Sequence, residues 1–467
     1  MADAARVIPT ELGTEKVGKL LKQYAWPAII AQVAASLYNM VDSIYIGHMS
    51  PDAISGLAVT FPLMNLSTAF GTLVGAGAAT MISILLGQKH YHMGNKVLGN
   101  VVSLNIIIGL VFMALTLAYI DPILTFFGAS SATLPYAKDY ITIILYGNVV
   151  THLYFGLNAA MRSSGNPKKA MRLTIFTVIF NAILDPIFIF GLDMGIAGAA
   201  WATVIAQVAA MLIVLSHFNN QNRAIHFERG IVRLNWNVAK KSLVIGTGPF
   251  LMNLAACAVA LFINQQLRQY SGTIAEGDTY IGAFGICNRI IFMFIMICMG
   301  LNQGMQPIAG YNYGAKLYSR VKEVFWMTAK LAVINTSICF IIGMFIPRIA
   351  CGIFTTDANL LDIAERGMRL ITLMFPIVGL QMIGTNFFQS LGLVKKSIIL
   401  SLSRQLLLLL PSLYLLPQWI GTDGVWLSFP VSDLLSTILT VILLRRLFKK
   451  FNTLHDGDSA ITLDGQL

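Results

Sequence analysis

Apolar residues run along this chain in long blocks broken by short polar turns. Stretches of low charge fall near 24–48, 54–86, 97–120, 136–160, 172–192 and 196–217, and again near 243–270, 279–311, 323–346, 365–391, 398–419 and 424–447. A helix needs about 20 apolar residues to cross the hydrocarbon layer, and each stretch reaches that length or exceeds it. The pattern therefore predicts an all-α membrane protein with twelve spanning helices. Twelve spans of about 25 residues use roughly 300 positions, and the rest of the chain is too short for loops, tails and a separate soluble domain together.

Composition agrees. Of 467 residues, 56% are apolar and 11% charged, with a mean hydropathy of +0.71, whereas soluble domains carry about 25% charged residues. A disordered chain, a disulfide-stapled scaffold and a soluble enzyme are excluded. The net charge of +11 would suit nucleic acid in another context, but its placement points to membrane topology: 24 Lys and Arg fall in the tails and alternate loops on one side, and only Arg348 in the loops opposite. The positive-inside bias then sets both termini in the cytoplasm. The segment ahead of Tyr24 mixes Asp3, Glu11 and Glu15 with bases before a full-length span, which is not the pattern of a cleaved signal peptide. Cys257, Cys287, Cys298, Cys339 and Cys351 are odd in number and lack C-x-x-C spacing, so neither a disulfide nor a metal role is expected.

The chain also repeats itself. A shift of 227 superposes Gly87-x-Lys89-x-Tyr91 on Gly314-x-Lys316-x-Tyr318, and Ser163-x-Gly165-x-x-Lys168-Lys169 on Ser390-x-Gly392-x-x-Lys395-Lys396. A shift of 226 superposes Gly195-x-x-Gly198 on Gly421-x-x-Gly424. Six spans per copy bring both halves in from the same face, which predicts two pseudo-symmetric six-helix bundles around a central cleft. The expected organisation is a tail (1–23), an N-lobe (24–217), an inter-lobe linker (218–242), a C-lobe (243–447) and a second tail (448–467).

Three carboxylates lie well inside spans: Asp42, Asp185 and Asp433. A charged acid at a helix centre costs about 2.5–3.5 kcal/mol on insertion scales, so each is a candidate functional group. Gln32, Ser36, Asn39 and Asp42 form one polar stripe, and Thr177, Asn181 and Asp185 step by four along another. Their C-lobe equivalents, Asn264 and Ser412, are not acidic. Two carboxylates sharing a low-dielectric site need a bound proton or cation between them, which is the requirement for coupling. Structural hydrogen bonds across the bundle are the competing account of the two acids. Pro27 removes a hydrogen bond fifteen residues before Asp42 and marks either a bend point or a static kink, and Pro186 frees the carbonyl of Ala182 beside Asp185, leaving polar backbone near the site or only shaping the helix. Asp433 is expected to pair with Arg289, as a structural ion pair or in substrate binding. Met293, Met296, Met299 and Met305 share one span and suit an adaptable apolar surface.

The run Gly300-Leu301-Asn302-Gln303-Gly304-Met305-Gln306-Pro307 through Lys316 resembles the eighth-helix signature of the multidrug and toxic compound extrusion (MATE) transporters, and Asn181-x3-Asp185-Pro186 resembles their DinF-like and MepA-like branch. The resemblance spans Tyr24 to about Lys450. It implies V-shaped lobes and a bacterial or archaeal inner-membrane antiporter that exports amphipathic, cationic compounds against protons or sodium, without a cofactor, as a functional monomer among membrane lipids. It places the coupling site at Asp42, Asn181, Asp185 and Thr203, which is also where Na+ would sit, with Tyr140 and Asn158 beside Asn39 as the supporting network, and the helix bend at Pro27. The second reading is a flippase or exporter of lipid-linked or other amphiphilic metabolites in the same superfamily. An enzyme is not expected, because no nucleophile or metal constellation stands out.

Overall fold

The computed structural model describes residues 9–47, 51–228, 230 and 234–457. The helices, in order, are α1 (Glu11–Thr14), α2 (Val17–Gly47), α3 (Pro51–Gly87), α4 (Tyr91–Ala118), α5 (Ile120–Phe126), α6 (Leu134–Tyr146), α7 (Asn148–Ser163), α8 (Pro167–Pro186) and α9 (Ile196–Phe218). The second half continues with α10 (Trp236–Tyr270), α11 (Ile274–Gly314), α12 (Tyr318–Phe345), α13 (Pro347–Gly352), α14 (Ala358–Thr372), α15 (Phe375–Ser390), α16 (Val394–Leu402), α17 (Leu410–Ile420) and α18 (Thr422–Phe451). Each expected span finds its helix or bent helix pair. In lipid every backbone N–H must bond within its own segment, which is why helices alone fill these blocks.

Boundaries shift where polar residues join a helix. Trp236, capped by Asn235 through its bond from the Val238 N–H at 3.3 Å, starts α10 well before the expected 243. The segment between the halves is thus 219–235.

Two spans are broken. Pairs α6/α7 and α14/α15 each bend by 55°. The first break falls at Gly147, where an added Cβ would sit 2.5 Å from the Val204 side chain. The second is followed by Pro376 in the first turn of α15, a position that tolerates the missing N–H. Helix α12 begins and ends at the repeat equivalents of the ends of α4, and α15 at those of α7, so the repeat is structural as well as sequential.

Turns follow it too. Lys89 and Lys316 take left-handed φ values of 60° and 61°, and Gly195 and Gly421 take φ 59° and 61°. In the Gly-x-x-Gly motifs the first glycine supplies that backbone. The second supplies close approach: a Cβ on Gly198 would lie 2.7 Å from the Phe188 carbonyl carbon, and one on Gly424 2.4 Å from that of Leu416.

The lobes join at one end. There α3 packs on α10, α2 on α11 and α3 on α11, through glycines that let backbones touch, the usual device where lipid removes any hydrophobic drive. A Cβ on Gly246 would lie 1.7 Å from Leu73 O, and one on Gly304 2.5 Å from Ala25 Cα. One large apolar cluster spans both lobes at this end and runs on through the C-lobe as far as Cys351, Ala364 and Trp426. Towards the other end the clusters separate, two in the N-lobe and one in the C-lobe. The outcome is a pair of bundles hinged at the end that carries α1 and the close of α18.

Candidate functional site

Residues Asn181 and Asp185, one turn apart on α8, point the same way and are 1% and 0% exposed. Asn181 Nδ2 donates to Asp185 Oδ1 and to Thr203 Oγ1, each at 3.3 Å. Thr203, 5% exposed, donates a hydrogen bond from its hydroxyl to Ala199 O at 3.0 Å along α9. Asn181 Oδ1 is buried and accepts no hydrogen bond among the described residues. The Asp185 carboxylate and the Thr203 hydroxyl therefore converge on the Asn181 amide nitrogen at one buried spot between α8 and α9. Thr177, the third residue of the stripe, instead bonds Leu173 O at 2.8 Å.

The backbone beneath the site is irregular. After Pro186 the helix widens into a π turn over Ile187–Gly191, where Leu192 N reaches Ile187 O at 2.8 Å. π turns of this kind collect at functional sites.

Among the other expected members, Tyr140 is 2% exposed and packs with Leu57, Ile189 and Ala199 beside this π turn, against Tyr45 of α2. Asp42 lies one turn before Tyr45 on a helix that packs along α8; the side chains of Asp42 and Asn39 lie outside the described residues. Asn158 is drawn elsewhere, donating to Ala170 O at 3.3 Å and Thr174 Oγ1 at 3.4 Å. Pro27 sits inside α2, which continues through it as one helix.

Asp433 pairs differently from expectation. Arg404 Nε donates to Asp433 Oδ1 at 2.8 Å, across α18 and the π turn at Ser403–Leu409. Arg289 is exposed instead. The methionines divide as well: Met293 and Met299 are exposed, Met296 and Met305 buried. All five cysteines are free thiols.

Sequence reasoning passed over His152. It is fully buried on α7, with Nε2 3.1 Å from Ser67 Oγ and 3.0 Å from Ser67 O, and Asn148 accepts from the same hydroxyl. The available signal was a histidine with Asn148 four residues before it, a shared helical face next to the Gly147 break.

Nine helices long and apolar enough to cross a membrane among the described residues, with two bent pairs besides, an internal two-fold repeat and a polar site buried in one lobe define a membrane transporter of two bundles. The MatE family model matches residues 27–187 and 251–415, and the chain belongs to that family, the MATE transporters. It is 28% identical over 437 residues to the multidrug export protein MepA of Staphylococcus aureus (strain MSSA476), covering 92% of this chain and 94% of that protein. With MepA of Staphylococcus haemolyticus (strain JCSC1435) the identity is 26% over 430 residues, covering 91% and 92%. The solved structure of the MATE multidrug transporter DinF-BH in complex with R6G matches at TM-score 0.86 and 34% identity, covering 95% of this chain and 98% of that one. An outward-facing MATE family transporter matches at TM-score 0.88 with 20% identity, covering 95% and 98%, which speaks to the fold alone.

Proposed function

We propose that this protein is a multidrug efflux antiporter, exporting amphipathic, cationic compounds across the inner membrane in exchange for H+ or Na+, with the ion carried by Asp42, Asn181, Asp185 and Thr203. The observation that carries the reading is the convergence of Asn181, Asp185 and Thr203 in a buried pocket of one lobe. Asp185 and Thr203 offer oxygens, as a hard cation requires, and the Asn181 amide, whose nitrogen bridges them, keeps an oxygen without a hydrogen bond among the described residues that a turn of the amide would bring to an ion. The export of multiple drugs named for the MepA relatives and the R6G complex of DinF-BH support the substrate class.

The charge distribution supports cytoplasmic termini. At the end of the molecule away from them, Lys138 pairs with Asp121, Arg348 with Asp362 and Glu365, Arg366 with Asp423, and Arg369 with Glu365. Those cations are neutralised, while most of the remaining Lys and Arg stay at the joined end. On that topology the joined end closes the cytoplasmic side, and the cleft between the separate clusters opens outward. Transport then proceeds by rocking of the lobes, and the ion biases the equilibrium through its differential affinity for the two states.

The test is R6G efflux from proteoliposomes of the full chain, driven first by a proton gradient alone and then by a sodium gradient alone. Export under one gradient, lost in Asp42→Asn and Asp185→Asn while the protein stays folded, is the expected result. Normal export by both variants overturns the coupling site.

A further inference from the structure

The contacts between α2 and α11 at the joined end fix which face of α11 meets the other lobe. A Cβ on Gly304 would lie 2.5 Å from Ala25 Cα, and one on Gly300 2.5 Å from Ile29 Cα. Numbers rise on α2 as they fall on α11, so the two helices run antiparallel. Steps of 4, 7 and 11 residues return to one side of a helix with 3.6 residues per turn. Outward from Gly300 those steps reach Met296, Met293 and Arg289.

Exposure changes along this line. Met296 is 9% exposed and Met293 66%, and Arg289 is exposed. The facing helix does the same: Ile29 is half-buried, while Val33 and Leu37, one and two turns further out, are exposed. The surfaces that lock together at the joined end therefore part beyond Gly300. The stretch of α11 holding Met293 and Arg289 looks across the cleft towards α2 instead of into lipid.

Height follows from the turn that joins α10 to α11. At about 1.5 Å per residue, Arg289 stands about 22 Å below Ile274, and Phe250 about 30 Å below Tyr270. Phe250 meets Phe70 of α3 across the lobes, with ring centroids 5.0 Å apart. Arg289 thus stands roughly 8 Å outward of an aromatic contact that bridges the lobes, low on the cleft wall.

The cation is unpaired. Among the described residues no carboxylate lies within ion-pair distance of Arg289, whereas Arg348, Arg366, Arg369 and Arg404 each have one. The repeat does not require it, since a shift of 227 sets Pro62 of α3 in its place. Arg289 also lies inside the apolar stretch Thr279–Gly314, where an ionised side chain is by default a functional group on a water-filled path. Beside it Met293 and Phe292 are both exposed and offer an apolar surface, the methionine an adaptable one.

We propose that Arg289 is a specificity-determining residue of the cleft, binding a carboxylate on the exported compound while the apolar body of that compound lies on Met293 and Phe292. This rests on the efflux reading and extends its substrate class to zwitterionic amphiphiles, in which a carboxylate accompanies the cationic centre. A guanidinium presents two parallel N–H donors that match the two oxygens of a carboxylate.

The test compares R6G, an ethyl ester, with its free acid, which differs only in presenting a carboxylate. Binding of each dye to the purified full chain in detergent is read by fluorescence anisotropy, and gradient-driven export from proteoliposomes is measured alongside. The ratio of free-acid affinity to R6G affinity is expected to fall at least about tenfold in Arg289→Gln. In Arg289→Glu, where like charges oppose, it should fall further. The Tm of each variant checks folding, which the change of an exposed side chain leaves intact. A ratio unchanged in both variants overturns the role of Arg289, and export of R6G by the wild-type chain then leaves the efflux reading standing. A shifted ratio without export under either gradient keeps the carboxylate site and overturns the efflux reading.

Discussion

Gly87 and Gly314, equivalent positions of the internal repeat, make reciprocal contacts across the seam between the lobes: a Cβ on Gly87 would lie 2.0 Å from Tyr311 O, and one on Gly314 2.1 Å from Ile84 O. Ile84 and Tyr311 are themselves related by the repeat. The pseudo-two-fold axis therefore passes between these two points, and the joined end closes backbone against backbone.

A side chain at either point wedges the seam. Backbone atoms cannot rotate away as side chains do, so Gly87→Val and Gly314→Val are each expected to cost the joined state about 1–3 kcal/mol. A penalty of that size lowers the joined population relative to the open one about 5–150-fold. Spin labels at Met93 and Glu323, both exposed near the starts of α4 and α12, should report a longer distance distribution in either variant. An unchanged distribution would show that the seam is not the closed gate.

At the coupling site, Thr203→Val removes the hydroxyl that accepts from Asn181 at 3.3 Å while preserving shape. Partners of this kind change ion affinity by about 10–100-fold when lost. The gradient needed for half-maximal efflux should therefore rise, with expression and Tm close to wild type. Asn181→Leu removes both the donor and the vacant oxygen and should abolish coupled export. Ion-dependent export that survives Asn181→Leu would place the ion elsewhere.

Much of the fold was legible because a bilayer writes its constraints into length and polarity: each apolar block is helical among the described residues, and the 227 offset recurs in helix ends and in the φ angles of Lys89 and Lys316. The breaks at Gly147 and before Phe375 were not legible, since a continuous apolar block satisfies lipid whether straight or bent. The stripe of Asn181 and Asp185 followed from helical periodicity, and Thr203 from the family resemblance. The partner of Asp433 did not follow from either, because Arg289 and Arg404 are equally basic in sequence and only helix packing selects between them. His152 was missed for the same reason: its partner Ser67 lies 85 residues away.

Two acid latches hold the ends of the repeats. Asp456 caps the start of α12, accepting from Ser319 N at 3.0 Å and from the Ser319 hydroxyl. Glu228 accepts from Asn95 Nδ2 at 2.6 Å and pairs with His92, and His92 is the repeat equivalent of Ser319. Burial raises both carboxyls, but the bonds from Ser319 and from Asn95 and His92 outweigh it and hold each below its ordinary value. A depressed folded value means that the stabilisation is present above the unfolded pKa, about 4, and is lost as pH falls through the folded one. The protection factor of the Ser319 amide, its exchange rate relative to the unstructured rate at the same pH, should be high at neutral pH and fall in acid. Asp456→Asn should lower it at neutral pH and flatten the acid dependence; an unaltered profile in that variant would remove the latch.

The Arg404–Asp433 pair separates structure from transport. Asp433 is 2% and Arg404 21% exposed, and Asp433 Oδ2 is buried without a partner. Truncating one member of a buried pair strands the other charge, at a cost of about 3–5 kcal/mol, whereas replacing both by apolar residues of similar volume is neutral or stabilising. Arg404→Leu, which leaves the deeper charge alone, should lower Tm most. Asp433→Leu should lower it less, because the partly exposed guanidinium can reach towards water along its stem. The Arg404→Leu, Asp433→Leu double variant should recover most of the loss, giving a large favourable coupling energy in a double-mutant cycle. If it also exports R6G at the wild-type rate, the pair serves only to lock α18 against the π turn. If Tm recovers and export does not, the charges take part in transport, and the C-lobe contributes chemistry of its own beside the polar site of the N-lobe.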